Sequence, residues 1–181
     1  MRPIRMLALL LSVLLLASSC GVEPPPPPAA VVLAVMLAAL EDTAQPLPDG
    51  LIRFTAADPA SPDRLTDTLF SALYGEAARG LLEAEEGAAA PVGDAALFLS
   101  LSLYPCELAV LRCTDGAAAR MAAGLCRGRL ELLERNCAAD GETAPAVRGL
   151  VDTEGCFVLL AVCEDPEPVL EAAKRTARRG K

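Results

Sequence analysis

Two stretches in the second half of the chain follow one scheme, and they limit the fold more than any other feature. Pro105-Cys106, six residues, then Cys113-Thr114-Asp115 leads into a helical pattern; Gly155-Cys156, six residues, then Cys163-Glu164-Asp165 leads into another. Each run between cysteines is apolar and of strand length, and the acid after it can cap a helix. The preceding residues offer a pairing partner. Leu97, Leu99, Leu101 and Leu103 alternate with Phe98, Ser100, Ser102 and Tyr104, the period of a half-buried strand, until Pro105 breaks it. Residues 147–152, a Thr153-Glu154-Gly155 turn and residues 156–163 read as a β-hairpin. The run 156–163 is apolar on both faces, which places it inside a sheet. Helices are expected over 116–136, with Met121, Leu125, Leu132 and Leu133 along it, and from Pro166 to about 179. The shared scheme reads either as an internal repeat of hairpin plus helix or as chance similarity between two copies.

The first half is less regular. Residues 29–40 are almost entirely apolar but too few for the ~20 that span a bilayer; they form a buried strand over 31–35 or a core helix, and periodicity leaves both open. Pro46, Pro48, Asp49 and Gly50 mark a turn, and residues 51–55 a short strand. Ser61-Pro62 resembles a helix start, and Leu65, Leu69, Leu73 and Ala77 follow at helical spacing, so residues 62–86 are expected to be mainly helix, weakened by Gly75 and Gly80. Residues 87–94 read as a linker. The whole predicts an α/β fold (an α+β sandwich), disulfide-braced, with an all-α bundle as the alternative.

The N-terminus carries an address. Arg2 and Arg5 precede an apolar run over 6–16 and the small residues Ala17, Ser18 and Ser19, the order of a secretory signal. Leu16-Ala17-Ser18-Ser19-Cys20 resembles the bacterial lipobox, with Ala17 where that family more often has leucine. The resemblance implies cleavage after residue 19 and lipidation of Cys20, which anchors the chain to the membrane through several acyl chains. Gly21, rather than an aspartate, after that cysteine points to the outer membrane, facing the periplasm. The alternative is an ordinary signal peptide with a cysteine near its end. Residues 24–28 are five prolines, a polyproline II spacer of roughly 15 Å. The expected organisation is residues 1–19 as signal peptide, 20–28 as anchor and tether, and 29–181 as a single folded domain.

A second resemblance lies further along. Leu150-Val151-Asp152-Thr153-Glu154-Gly155, leading into a strand and an acid-capped helix, resembles the end of the small α/β domain in the amino-terminal part of the Tol translocation propeller protein and in curli-secretion-type lipoproteins. Residues 65–73 would correspond to that domain's first helix. The resemblance favours a sandwich over a bundle.

Removing residues 1–19 takes two arginines from the 16 basic residues and none of the 24 acids, so the chain from Cys20 has a net charge of −10. That acidity disfavours nucleic acid as a partner. Lys174, Arg175, Arg178, Arg179 and Lys181 are a local exception, which complements a helix dipole or meets anionic lipid.

Six cysteines follow Cys20: Cys106, Cys113, Cys126, Cys137, Cys156 and Cys163. An even number in an exported chain suggests disulfides. Seven residues span about 23 Å in a strand and about 10 Å in a helix, and eleven about 16 Å in a helix, against the roughly 7 Å a disulfide allows. Sequence-adjacent pairs are therefore disfavoured, and bonds should run between segments.

Catalytic equipment is sparse. The chain has no histidine, which removes the commonest general base and metal ligand together with every Ser-His or Cys-His nucleophile. No Cys-x-x-Cys pair, phosphate-cradling glycine loop or calcium loop is present. Glu83, Glu85 and Glu86, and Glu164, Asp165 and Glu167, cluster at expected helix ends, where solvated charge is the ordinary role. The expectation is a membrane-anchored, non-enzymatic accessory or binding module of an envelope assembly, without cofactor or metal, with an envelope protein as partner. The alternative is a cysteine-based redox or metal-handling envelope protein.

Overall fold

Apolar runs of strand length with no polar face must be covered on both sides, and that requirement organises the molecule. The computed structural model describes residues 25–43, 51–56, 61–83, 89–100, 106–139 and 148–179. Among them, five strands form one antiparallel sheet: β1 (Leu51–Thr55), β2 (Val92–Ser100), β3 (Glu107–Cys113), β4 (Gly149–Glu154) and β5 (Phe157–Val162), in the spatial order β1-β2-β3-β5-β4. Helices α1 (Ala29–Glu41) and α4 (Pro166–Arg178) cover one face; α2 (Asp67–Tyr74) and α3 (Gly116–Ala139) cover the other. Alternate residues of the central strands feed the two cores. Phe98, Leu108, Val110, Phe157 and Leu159 pack under α1 and α4, while Leu97, Ala109, Leu111, Val158 and Leu160 pack under α2 and α3.

The mixed α/β class holds, and the all-α bundle is excluded by the sheet. Residues 29–41 resolve as helix: Val32, Leu33, Met36, Leu37 and Leu40 line its inner side at 3–4-residue spacing. Asp115 caps α3 by accepting the N–H groups of Ala117 and Ala118, each at 2.8 Å. The hairpin β4–β5 turns at Gly155, whose φ of 60° suits glycine.

Several expectations change. The helix over 62–86 shrinks to α2. Arg64 and Leu65 are drawn alongside β1 instead, with the Leu65 N–H donating to Thr55 O at 2.9 Å. Ser61 therefore closes a turn, and Thr66 is the N-cap, its Oγ1 accepting from the Leu69 N–H. Gly75, at φ 91°, ends the helix, and a 3-10 turn over Glu76–Ala78 follows. Asp67 then holds the next turn by accepting from the Gly80 and Leu82 N–H groups. The supposed linker contributes residues 92–94 to β2, and that strand is buried on both faces rather than half-buried. Residues 44–50 and 101–105, which carry the Pro46–Gly50 turn signal and the end of the leucine alternation, lie outside the described residues.

On α3 the buried side is made of Ala118, Ala119, Ala122, Ala123 and Cys126, which let the helix lie close to the sheet, whereas Met121 and Leu132 face outwards. Both stretches of the shared scheme do form a hairpin and a helix, and β3 lies directly beside β5. A two-fold relating those antiparallel strands would stand perpendicular to the sheet and keep both helices on one face. They lie on opposite faces, so the second unit is not a rotated copy of the first. The expected disulfide bracing is not seen in this structure, where no bond joins Cys106, Cys113, Cys126, Cys137, Cys156 or Cys163.

Candidate functional site

The sheet has two ends, and each gathers its own chemistry. At one lie the start of β3, the end of β5 and the C-terminus of α2. Here Glu107, the first residue of β3, projects beneath α2 and α3 and is almost fully buried. Arg129 of α3 donates to its Oε2 from Nε at 3.0 Å and from Nη2 at 2.8 Å, and the Tyr74 hydroxyl donates to Oε1 at 2.9 Å. Both carboxylate oxygens are thus engaged, the requirement for burying a charge at tolerable cost. Tyr74 also stacks on Phe70 with centroids 4.7 Å apart. Burial, and then the negative charge of Glu107, push the Tyr74 hydroxyl well above its ordinary pKa, so it stays protonated and remains the donor. The tyrosine, held neutral against a paired carboxylate, brackets α2 to β3 and α3.

At the opposite end lie the start of β2, the end of β3 and the turn between β4 and β5. Asp94 is buried there; its Oδ2 accepts from the Ala29 N–H, the first residue of α1, at 2.7 Å, with the Arg112 Nη2 at 3.8 Å. Residues 25–28, the last four of the five prolines, run straight into this point. The C-terminus of α4 reaches the same end, since α4 starts after β5 and runs back across the sheet. Arg178 pairs with Glu154 at 2.9 Å beside the hairpin turn; one turn earlier Lys174 pairs with Asp152 at 2.9 Å and with Glu171. Arg175, Arg178 and Arg179 are exposed. The entry of the tether and the basic end of α4 therefore share one end of the molecule.

The cysteines fall on the ladder between β3 and β5. Cys106 and Cys163 occupy one end and belong to the core under α1 and α4. Cys113 and Cys156 occupy the other, where the Cys113 N–H donates to Cys156 O at 2.8 Å. Cys126 of α3 belongs to the same core cluster as Cys113. Cys137, near the end of α3, is half-buried. Burial pushes the thiols of Cys106 and Cys113 up to about 11 and that of Cys163 to about 12, and raises Cys126 further. Thiols so shifted carry little thiolate at neutral pH and are poor nucleophiles and ligands. Among the described residues, no group of three His, Cys, Asp or Glu side chains is arranged to hold a metal ion.

Of the residues singled out from sequence, Cys20, Glu85, Glu86 and Lys181 lie outside the described residues. Glu83 is solvated and pairs with Arg64 at 3.1 Å; Glu164, Asp165 and Glu167 are exposed around the start of α4. The Tyr74–Glu107–Arg129 bracket and the Asp94 contact were not anticipated. The one available signal was a charged residue inside each apolar strand. Against family models, curated proteins and solved structures, the chain finds no match.

Proposed function

We propose that the chain is a membrane-anchored lipoprotein of the bacterial envelope, lipidated at Cys20 and placed in the outer membrane facing the periplasm. It serves as a non-enzymatic accessory or binding module of an envelope assembly. The observation that carries the reading is the continuous path from signal and lipobox-like Cys20, through five prolines, into the Asp94-pinned start of α1. Two features support it. The basic end of α4 lies beside that entry point, where it would face anionic headgroups while the rest of an acidic domain points away. The buried ionisable groups close on one another, as scaffolding requires, rather than converging on an open cleft.

No helix among the described residues is long and apolar enough to cross a membrane. The competing reading of cysteine-based redox or metal handling has one observation in its favour, Cys113 sharing a core cluster with Cys126 and standing across the ladder from Cys156. The raised thiol pKa values weigh against it. Crosslinking in intact native cells, followed by recovery of the tagged chain, tests the proposal. One defined envelope assembly is expected. Turnover of an envelope substrate by the purified chain, abolished by replacing particular acids, would overturn it.

A further inference from the structure

We propose that Cys106 and Cys163 form a disulfide across the β3–β5 ladder, tying the two central strands beneath α1 and α4. The register carries this. Glu107 stands opposite Val162, so one step beyond the ladder Cys106 stands opposite Cys163. Their backbone groups face away from each other: Cys106 O accepts from the Ser100 N–H on the β2 side at 2.9 Å, and the Cys163 N–H donates to Arg148 O on the β4 side at 3.1 Å. That makes them a non-hydrogen-bonded pair, the position where antiparallel Cα atoms approach most closely, about 4.5 Å. The disulfide window opens at roughly that separation. Both side chains point into the same apolar core and are almost wholly buried, at 1% and 3% exposure.

The other end of the ladder permits no single assignment, since Cys113 has Cys156 across the ladder and Cys126 in its own cluster. The inference is therefore confined to one bond.

The chemistry is thiol–disulfide exchange. A protein disulfide carrier in the compartment accepts two electrons and two protons from the two thiols and leaves as a dithiol, while the Cys106–Cys163 bond forms. In the folded chain the raised pKa of both thiols leaves little thiolate to react, so the exchange takes place before α1 and α4 close over them. The place of oxidation rests on the export reading; the pairing rests on the register alone.

The test uses the full chain in two samples. One is purified in detergent from native cells, with thiols alkylated at lysis. The other is reduced, unfolded, and refolded in a glutathione redox buffer. Both are digested without reduction and mapped by tandem mass spectrometry. A peptide containing Cys106 joined to Cys163 is expected in both, with a melting temperature on the order of 10 °C above that of the reduced chain. The joined peptide in the refolded sample alone upholds the pairing and overturns oxidation in the cell. Cys106 joined to a different cysteine, or alkylated in both samples, overturns the pairing. Since the mapping needs no substitution, a variant that fails to fold does not affect it.

Discussion

Glu107 has Arg129 on one carboxylate oxygen and Tyr74 on the other, and each partner carries a different share of the energy. Replacing Arg129 with Ala strands a buried carboxylate and should lower unfolding stability by about 3 kcal/mol, while Tyr74→Phe, which removes one hydrogen bond to a charge, should cost about 1–2 kcal/mol. Chemical denaturation measures both; equal costs below 1 kcal/mol would show the carboxylate solvated instead. The thiols give a second prediction. Burial lifts their folded pKa values from the ordinary thiol value of 9.0 to about 11 and about 12, so their protonated forms support the fold fully below about pH 9. That support is lost as pH rises through about 11, because the unfolded chain releases its protons first. The reduced chain should therefore lose on the order of 1 kcal/mol per buried thiol, after solvent screening, between pH 8.5 and 11. A denaturant midpoint that stays flat over this range would contradict the burial. None of these partnerships was legible beforehand. A glutamate in an apolar run announces that something must satisfy it, but which helix supplies the arginine depends on layers that only the sheet order defines.

At the scale of elements, local signals were read correctly where the backbone had a single demand on it. Asp115, Gly155 and Pro166 each mark a boundary, and each boundary falls within a few residues of the expected place. They failed where two elements compete for the same backbone. Leu65, Leu69 and Leu73 repeat at helical spacing, yet the hydrogen bond from Leu65 to Thr55 takes the first of them out of the helix, and Gly75 closes it early. Alternation over 97–104 reads as a strand with one wet face because serine is ordinarily solvent-facing. The described part of that strand is instead sandwiched between helical layers. Close layering also yields a prediction. A Cβ on Gly149 would run into the Leu130 side chain, where α3 passes over β4. Gly149→Ala should cost about 1–2 kcal/mol by overpacking, and most of that cost should vanish in a Leu130→Ala background. Additive costs in that double-mutant cycle would mean that the two elements do not touch there.

For the molecule as a whole, the class of fold and the alternation of hairpin and helix were legible because they follow from period and punctuation. The choice of face for each helix was not, since an apolar strand offers two equal faces and nothing local distinguishes them. Charge placement belongs to this scale too. An acidic chain with three of its arginines at the C-terminus of one helix looks unremarkable until that helix end is found at the same end of the sheet as the start of α1. On the proposed lipid anchor, that coincidence would turn the hairpin turn and the end of α4 towards the membrane and leave the Glu107 bracket and the C-terminal turns of α3 on the far side. All of this depends on the anchor. The most direct measurement is the mass of the N-terminal peptide of the chain purified from its native cells. The account predicts a peptide beginning at Cys20 and carrying acyl chains. A peptide beginning at Met1, or one beginning near residue 20 with an unmodified cysteine, would contradict it.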